Sequence, residues 1–296
     1  MLLGCASGEP SVSSLAPESS STESVSSAPE IEDVKVIVLA GQSNAVGYTQ
    51  INQMGNHFDD QEIATYKNGF DAVKIRFNCE EGVNTSWRKF VPTKLGQGKD
   101  NLCFGPEVGI GEYLSKNASE DIYIIKYAVG GTTLVSDWRS PSSGTTGRCY
   151  APFIEFVHES IGYLEAEYKR PKIEALCWMQ GESDADEFKS KYYYDYLSDF
   201  VGDVREEFKT YASTDGIGFV DAGISDWSWW THYQVVNAAK KKFASESEQN
   251  IYFDTIELGL SYEKEPVGSP DGCHYDSDAM ILLGQTFAEM LKEYFL

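Results

Sequence analysis

The chain of 296 residues is poor in positive charge and lacks long apolar runs. Its 24 lysines and arginines face 46 aspartates and glutamates, and the net charge of −22 disfavours binding to nucleic acid or to an anionic membrane surface. No stretch has the roughly 18 consecutive apolar residues that a membrane-spanning helix needs. The six cysteines include no C-x-x-C pair, which disfavours a structural zinc site. We therefore expect a soluble folded part without such a metal centre.

The first 32 residues contain no aromatic residue and no hydrophobic periodicity. Their mixture of Ser, Pro, Ala and Glu predicts a disordered linker, because it offers too little apolar surface to offset the entropy of ordering. Leu2-Leu3-Gly4-Cys5 resembles a bacterial lipobox, but the basic and long apolar segments that normally precede one are missing. Either the start is truncated or the match is chance. A lipid anchor at Cys5 would hold the protein at an extracellular cell surface, the location that we expect, and the alternative is a cytoplasmic protein.

If Cys5 is lipidated, five cysteines are left, and this odd number in an exported chain means that at least one thiol is free. Cys177 lies in a strand-like apolar run and reads as a buried residue. Cys79 and Cys103 flank a loop-rich segment and are candidates for a disulfide, although spacing alone does not fix the pairing.

Residues 33–296 are enough for one large α/β domain. Strand-like runs alternate with segments of helical periodicity, and this alternation predicts a mostly parallel sheet covered by helices on both faces. The predicted strands are 34–40, 122–128, 173–179, 216–221 and 251–254, and the predicted helices are 106–116, 152–167, 187–209, 232–245 and 277–295. The segment 48–104 shows no clear period, and we expect an irregular insertion with a short hairpin there.

The run from Val36 to Gly47 carries the first functional signal. Its β-branched and apolar residues stop at Gly41 and give way to small and polar ones, as at the end of a buried parallel strand. Ligands bind at the carboxyl ends of such strands, so Ser43 is a candidate nucleophile. The alternative is that Ser43 only caps the following helix.

A nucleophilic serine needs a base, and the chain has only four histidines. Three of them have ordinary helical or loop contexts: His57, His158 and His232. His274 lies instead in a turn-forming sequence after the last predicted strand, where Asp271 can hold one ring nitrogen and support an imidazolium. The alternative is a structural turn with an incidental histidine.

Two further predicted strand ends offer donors for a negatively charged oxygen. Gly130-Gly131-Thr132 provides a backbone that can approach a ligand closely, and no G-x-G-x-x-G nucleotide motif is present. Gln180 can donate from its side-chain amide, whereas the carboxylates of Glu182 and Asp184 would repel an oxyanion and must serve elsewhere.

Four short blocks together resemble one family. They are Gly41-Gln42-Ser43-Asn44, Gly130-Gly131-Thr132, Gln180-Gly181-Glu182-Ser183 and Asp271-x-x-His274. In this order they resemble the SGNH hydrolases, and more narrowly the branch of carbohydrate esterase family 6 and the sialate O-acetylesterases. The resemblance spans about 33–296. Gln42 and Gln180 replace the usual Asp and Asn of the superfamily, as in this branch.

The resemblance implies a flavodoxin-like α/β/α sandwich with a mostly parallel five-stranded sheet. It implies Ser43 as nucleophile, His274 as base and Asp271 as the group that orients the base. The implied oxyanion hole consists of the backbone N–H groups of Ser43 and Gly131 and the side chain of Gln180. The implied reaction removes acetyl groups from a glycan through an acetyl-enzyme, with no metal or organic cofactor.

The substrate is inferred from aromatic side chains, because indole rings offer flat apolar faces to sugars. The candidate substrate-binding residues are Trp138, Trp227, Trp229 and Trp230, together with the motif residues Gln42, Asn44 and Glu182. The alternative for the tryptophans is ordinary packing. The acidic charge favours a neutral polymer such as acetylxylan over sialic acid. Rival functions are a glycan-binding lipoprotein without catalysis, which would not need the full catalytic set, and a lipase or thioesterase, which would need a long apolar groove.

Overall fold

The computed structural model describes residues 4, 5, 8, 31–87 and 89–296, and Ile31–Leu296 form one compact unit. The lipobox-like start and the linker lie almost wholly outside the described residues, so both stay predictions. Within the described part, none of the helices has the length and apolar character that crossing a membrane requires. All six cysteines have free thiols, and the candidate bridge between Cys79 and Cys103 does not form.

The unit is built on a central, mostly parallel sheet. The strands are β1 (Glu32–Gly41), β2 (Thr49–Gln50), β3 (Phe70–Cys79), β4 (Asn84–Thr85), β5 (Val91–Thr93), β6 (Cys103–Phe104), β7 (Ile122–Ala128), β8 (Lys169–Met179), β9 (Gly218–Ala222) and β10 (Asn250–Phe253). The helices are α1 (Ser43–Val46), α2 (Asp60–Asn68), α3 (Glu107–Asn117), α4 (Tyr150–Ala166), α5 (Tyr193–Glu207), α6 (Tyr233–Ala244) and α7 (Ser277–Tyr294).

Six strands run parallel in the order β10-β9-β8-β1-β7-β3, and β4 and β5 pair antiparallel with β3 at one edge. Every residue of β7 is buried, so neither face of the sheet centre meets solvent. This confirms the predicted α/β class with a covered, mostly parallel sheet. The predicted number of five strands was too low.

The parallel strand missing from the prediction is β3, which lies in the segment expected to be irregular. Charged residues interrupt its apolar pattern, and one of them, Arg76, is buried. Its guanidinium lies 4.5 Å from the ring centroid of Phe156 and 3.0 Å from the Glu159 carboxylate on α4. Because α4 supplies these partners, the burial of this charge depends on tertiary contacts that a local pattern does not contain.

Helices α3 and α7 cross at close range through two glycines. A Cβ on Gly109 would lie 2.2 Å from the Ile281 carbonyl oxygen, and one on Gly284 would lie 2.1 Å from that of Pro106. This contact fixes α7 against the body of the domain. The loop that immediately precedes α7 carries His274, so the packing also positions the candidate base.

Candidate active site

Three neighbouring strands end at the same edge of the sheet. Gly41 at the end of β1 pairs with Ala128 at the end of β7 and with Met179 at the end of β8. Gly41 has φ +146°, and a Cβ there would lie 1.9 Å from the Met179 carbonyl oxygen. Only glycine fits this close approach. The loops after the three strands therefore bring the candidate residues Ser43, Gly131 and Gln180 to one edge, as parallel strands predict.

Ser43 is the first residue of the short helix α1. Gln42 is the N-cap residue and no side-chain capping hydrogen bond forms, so the capping alternative finds no support here. The Ser43 hydroxyl is partly exposed and makes no hydrogen bond within the described residues. The far end of α1 is held by the buried Lys126 ammonium, which donates to the Val46 carbonyl at 2.7 Å and to Glu107 at 2.6 Å.

The loop before α7 holds the candidate base and its acid. Asp271 Oδ2 lies 2.8 Å from His274 Nδ1, while Oδ1 accepts the backbone N–H groups of Cys273 and His274 at 2.9 and 3.0 Å. Partial burial opposes the charge of Asp271, but the His274 ring and these N–H groups outweigh it and lower the pKa of the carboxyl. Asp271 therefore remains an ionised acceptor for Nδ1, leaving Nε2 as the free ring nitrogen.

Asn44, the residue after Ser43, bridges α1 to this loop on both sides of His274. Its amide nitrogen donates to the Cys273 carbonyl at 3.3 Å, and its amide oxygen accepts the Tyr275 N–H at 3.3 Å. The same nitrogen donates to Glu182 Oε1 at 2.8 Å. The candidate nucleophile and the candidate base are thus held together by the neighbour of the nucleophile.

Glu182 lies behind this bridge and is almost completely buried. Burial raises the pKa of its carboxyl, against the hydrogen bond from Asn44 and the charges of Lys240 and His274. Its second oxygen, Oε2, has no hydrogen-bond partner among the described residues. Burying this oxygen without a partner disfavours the charged carboxylate, in the same direction as the raised pKa.

The glycine loop after β7 presents unused backbone donors. Gly131 has φ +67°, and a Cβ on it would meet no atom within 4 Å. Within the described residues, the N–H groups of Gly131 and Ser43 have no acceptor. Asp184 holds the loop, since its carboxylate accepts the N–H groups of Leu134 at 2.8 Å and Val135 at 3.2 Å. Burial raises the pKa of Asp184 to about 6, although these hydrogen bonds favour the charged form. Asp184 thus supports the loop rather than facing a ligand.

The Gln180 amide is fully buried and surrounded by acceptors. Its nitrogen lies 3.0 Å from the Thr132 carbonyl, 3.2 Å from Gln42 Oε1 and 2.6 Å from Asp184 Oδ2. Two amide hydrogens therefore face three acceptors within the chain. Gln180 can donate to an oxyanion only by giving up one of these partners.

Four of the predicted substrate contacts have buried side chains in this structure, and their role in substrate binding stays a prediction. Trp138 is fully buried: its ring packs edge-on against Trp178 with centroids 5.1 Å apart, and its N–H donates to Thr132 Oγ1. The side chains of Gln42, Asn44 and Glu182 are at most 3 % exposed. The sequence places all four near the sheet edge, but it does not show whether each side chain points into the core or towards solvent.

Trp227 and Trp229 form a platform of two indole rings, of which Trp229 is exposed and Trp227 is partly buried. Their rings are stacked with centroids 4.8 Å apart, and Trp229 is 73 % exposed. A Cβ on Gly272 would lie 2.4 Å from Trp227 Nε1, so the platform touches the loop between Asp271 and His274. Trp230 packs edge-on against Trp227 and is partly buried.

A groove of about 970 Å³ lies beside the same loop and includes Asp271 and Tyr48 in its lining. Three lysines line it, Lys67, Lys94 and Lys99, and none of them forms an ion pair within the described residues. Two further carboxylates also line it, Asp60 and Asp100. The groove therefore carries both signs of charge, beside apolar side chains that include Ile51, Ile63 and Leu102.

Comparison with solved structures places the fold among known proteins. A protein from Arabidopsis thaliana superimposes with a TM-score of 0.64 at 15 % identity, covering 88 % of this chain and 99 % of that one. NanS gives 0.63 at 13 % identity, covering 90 % and 99 %. XAC1771, a carbohydrate acetylesterase from Xanthomonas citri, gives 0.58 at 12 % identity, covering 88 % of this chain and 56 % of that one. A search of curated protein sequences finds no match to the chain.

A family model for carbohydrate esterases matches residues 33–293, so the protein is a carboxylic ester hydrolase that acts on an acetylated carbohydrate. The model is that of the carbohydrate esterases described as sialic acid-specific acetylesterases, and the chain belongs to this family. The match confirms the resemblance to the sialate O-acetylesterase branch of the SGNH hydrolases.

Proposed function

We propose that the protein removes O-acetyl groups from a glycan by serine catalysis. The observation that carries this proposal is the arrangement at the sheet edge. Ser43, with an unengaged hydroxyl, and Gly131, with a free N–H, follow adjacent strands, and the Asp271–His274 pair is bridged to Ser43 by Asn44. These are the nucleophile, oxyanion donor, base and orienting acid that acyl transfer requires.

In the proposed mechanism, the Ser43 hydroxyl attacks the acetyl carbonyl while His274 Nε2 takes its proton. The Ser43 hydroxyl makes no hydrogen bond to His274 in the free protein, so this contact forms when the side chain rotates towards a bound ester. His274 then returns the proton to the departing sugar oxygen. Water attacks the acetyl-serine by the same route and releases acetate.

The oxyanion of each tetrahedral intermediate is proposed to accept the N–H groups of Ser43 and Gly131. Both lack acceptors within the described residues, so they can donate without breaking a bond in the protein. Gln180 is proposed as a third donor with a smaller share, because its amide hydrogens already face three acceptors. Removing one oxyanion donor typically lowers kcat about 100- to 1000-fold. We expect Gln180→Ala to lower kcat by less than this, because the Gln180 amide also faces three acceptors within the chain.

The first candidate substrate is a neutral acetylated polymer of the acetylxylan type. The Trp227–Trp229 platform supports it, because the exposed Trp229 ring, stacked on Trp227 beside the loop of Asp271 and His274, suits a sugar ring. Trp229→Ala is expected to raise KM for acetylated xylan about tenfold and to leave p-nitrophenyl acetate hydrolysis unchanged, because that small ester does not reach the platform.

The matched control is Trp87→Ala, because Trp87 is as exposed as Trp229 but has no stacking partner among the described rings. Equal effects of the two substitutions on acetylated xylan would contradict a specific platform. An unchanged KM in Trp229→Ala would remove the support for a polymer substrate on this side of the loop.

The second candidate substrate is an O-acetylated sialic acid. The groove lysines favour it, because Lys67, Lys94 and Lys99 are available to a carboxylate next to the catalytic loop. We expect Lys67→Gln/Lys94→Gln to lower kcat/KM for O-acetylated sialic acid about tenfold, with no change for acetylated xylan, if the groove binds the acid.

Acetate release from acetylated xylan, from O-acetylated sialic acid and from long-chain esters decides among the candidates. Preference for the sialic acid, lost in the double lysine variant, would replace the xylan proposal. Preference for long-chain esters would contradict both and would assign the apolar part of the groove lining to an acyl chain. No acetate release from any of them would favour a glycan-binding protein without catalysis.

A further inference from the structure

The ring of Tyr48 lies flat against the imidazole of His274. Their centroids are 4.6 Å apart with an angle of 17° between the planes. Asp271 holds the imidazole only at Nδ1, which leaves it free to tilt about that hydrogen bond. A flat aromatic neighbour restricts this tilt, and so it limits the directions in which Nε2 can point.

Tyr48 is itself tied to the glycine loop through one carboxylate oxygen. Its hydroxyl donates to Glu80 Oε1 at 2.8 Å, and the same oxygen accepts the Gly130 N–H at 3.2 Å. A Cβ on Gly130 would lie 2.8 Å from the Tyr48 hydroxyl and 2.9 Å from Glu80 Oε1. Glu80 therefore binds both Tyr48, whose ring packs on His274, and Gly130, the residue before Gly131.

The Tyr48 ring is also held by Lys99. The Lys99 ammonium lies 4.6 Å from the ring centroid, at a distance typical of a cation–π contact. The Lys99 backbone N–H donates to the Gly47 carbonyl at 2.8 Å, directly before Tyr48 in the chain. Burial and the Glu80 hydrogen bond raise the pKa of the Tyr48 hydroxyl, so it stays a donor at all working pH values.

We propose that Tyr48 is a positioning residue for His274, and that Glu80 aligns the base and the oxyanion loop as one unit. The inference rests on the proposed function. Tyr48 does not touch the reacting atoms. Tyr48 acts by packing against one face of the imidazole. Glu80 fixes the position of Tyr48 relative to the Gly130 N–H, because one of its oxygens accepts hydrogen bonds from both.

The ring contact is tested by two substitutions. Tyr48→Leu removes the flat face and is expected to lower kcat for p-nitrophenyl acetate about 100-fold with KM within about twofold, because the base is misaligned while the ester still binds. Tyr48→Phe keeps the ring and is expected to restore kcat to within about fivefold of the unaltered protein. Tyr294→Leu, at an exposed site on α7, is the control and should change neither value.

An unchanged kcat in Tyr48→Leu would overturn the positioning role, as would equal losses in the Leu and Phe variants. Ser43→Ala separates this failure from failure of the proposed function. If Ser43→Ala is inactive and Tyr48→Leu is fully active, only the inference on Tyr48 is wrong. If Ser43→Ala is active, the serine mechanism itself is wrong.

The link through Glu80 is tested by a double-mutant cycle. Glu80→Ala removes the shared acceptor, and Tyr48→Phe should then cause no further loss of kcat, because its hydroxyl has lost its partner. Glu80→Gln keeps an acceptor oxygen and should stay close to the unaltered protein. A cost of Tyr48→Phe that is the same with and without Glu80 would overturn the link. This cycle also tests the inference if Tyr48→Leu fails to fold.

Discussion

Replacement of Ser43 with alanine is expected to lower turnover of p-nitrophenyl acetate by about four to six orders of magnitude. In the proposed mechanism this hydroxyl forms the covalent bond to the acetyl group, so its removal takes away the nucleophile. The fold should be unaffected, because the hydroxyl makes no hydrogen bond within the described residues and is partly exposed. Steady-state kinetics and thermal unfolding measure the two effects.

The matched control is Ser119→Ala, an exposed serine in the loop between α3 and β7. It should keep the full rate and the same Tm. A Ser43→Ala protein that retained a tenth or more of the rate would remove Ser43 from the mechanism. A large drop in Tm would instead mean that the loss of activity reflects unfolding.

Replacement of Gly41 with alanine is expected to cause the largest loss of stability, about 4 kcal/mol or more in the free energy of unfolding. The new Cβ would lie 1.9 Å from the Met179 carbonyl oxygen, and the backbone at φ +146° is strained for any side chain. Strands β1 and β8 would have to separate at the edge that carries Ser43. Urea unfolding followed by circular dichroism measures the loss.

Gly162→Ala on α4 is the matched control. A Cβ there meets no atom within 4 Å, and alanine favours the helix, so this variant should gain about 0.5 to 1 kcal/mol. If Gly41→Ala stayed within about 1 kcal/mol of the unaltered protein, the close approach of β1 to β8 would not exist in solution.

The alternating pattern was enough to predict the sheet, because parallel strands buried on both faces leave continuous apolar runs in the sequence. The same rule failed for β3, where Arg76 is buried between partners that α4 supplies. From neighbouring residues in the sequence alone, a charged side chain such as Arg76 is predicted to be exposed. Strand β7 was predicted although it contains the buried Lys126, because apolar residues surround that lysine, whereas several charged residues are spread along β3.

The positions of candidate residues were predictable where a motif ties a residue type to a strand end, as for Ser43, or to a turn, as for the Asp271–His274 pair. They were not predictable where the question is which way a side chain points. Trp138 and Trp229 are the same residue type in similar loops, yet one is in the core and the other is exposed. Tyr48 carries no motif signal at all, and only its position five residues after Ser43 hinted at a place in the site.

The bridge formed by Asn44 also bears on how the protein becomes active. It joins residues 229 and 231 positions apart in the chain, so the site is assembled from the first strand and from the loop before the last helix. A chain growing on the ribosome would have its candidate nucleophile early but would lack its candidate base until the loop before α7 had also been made. Esterase activity should therefore appear late in refolding, after α7 has docked, and it can serve as a reporter of completed folding.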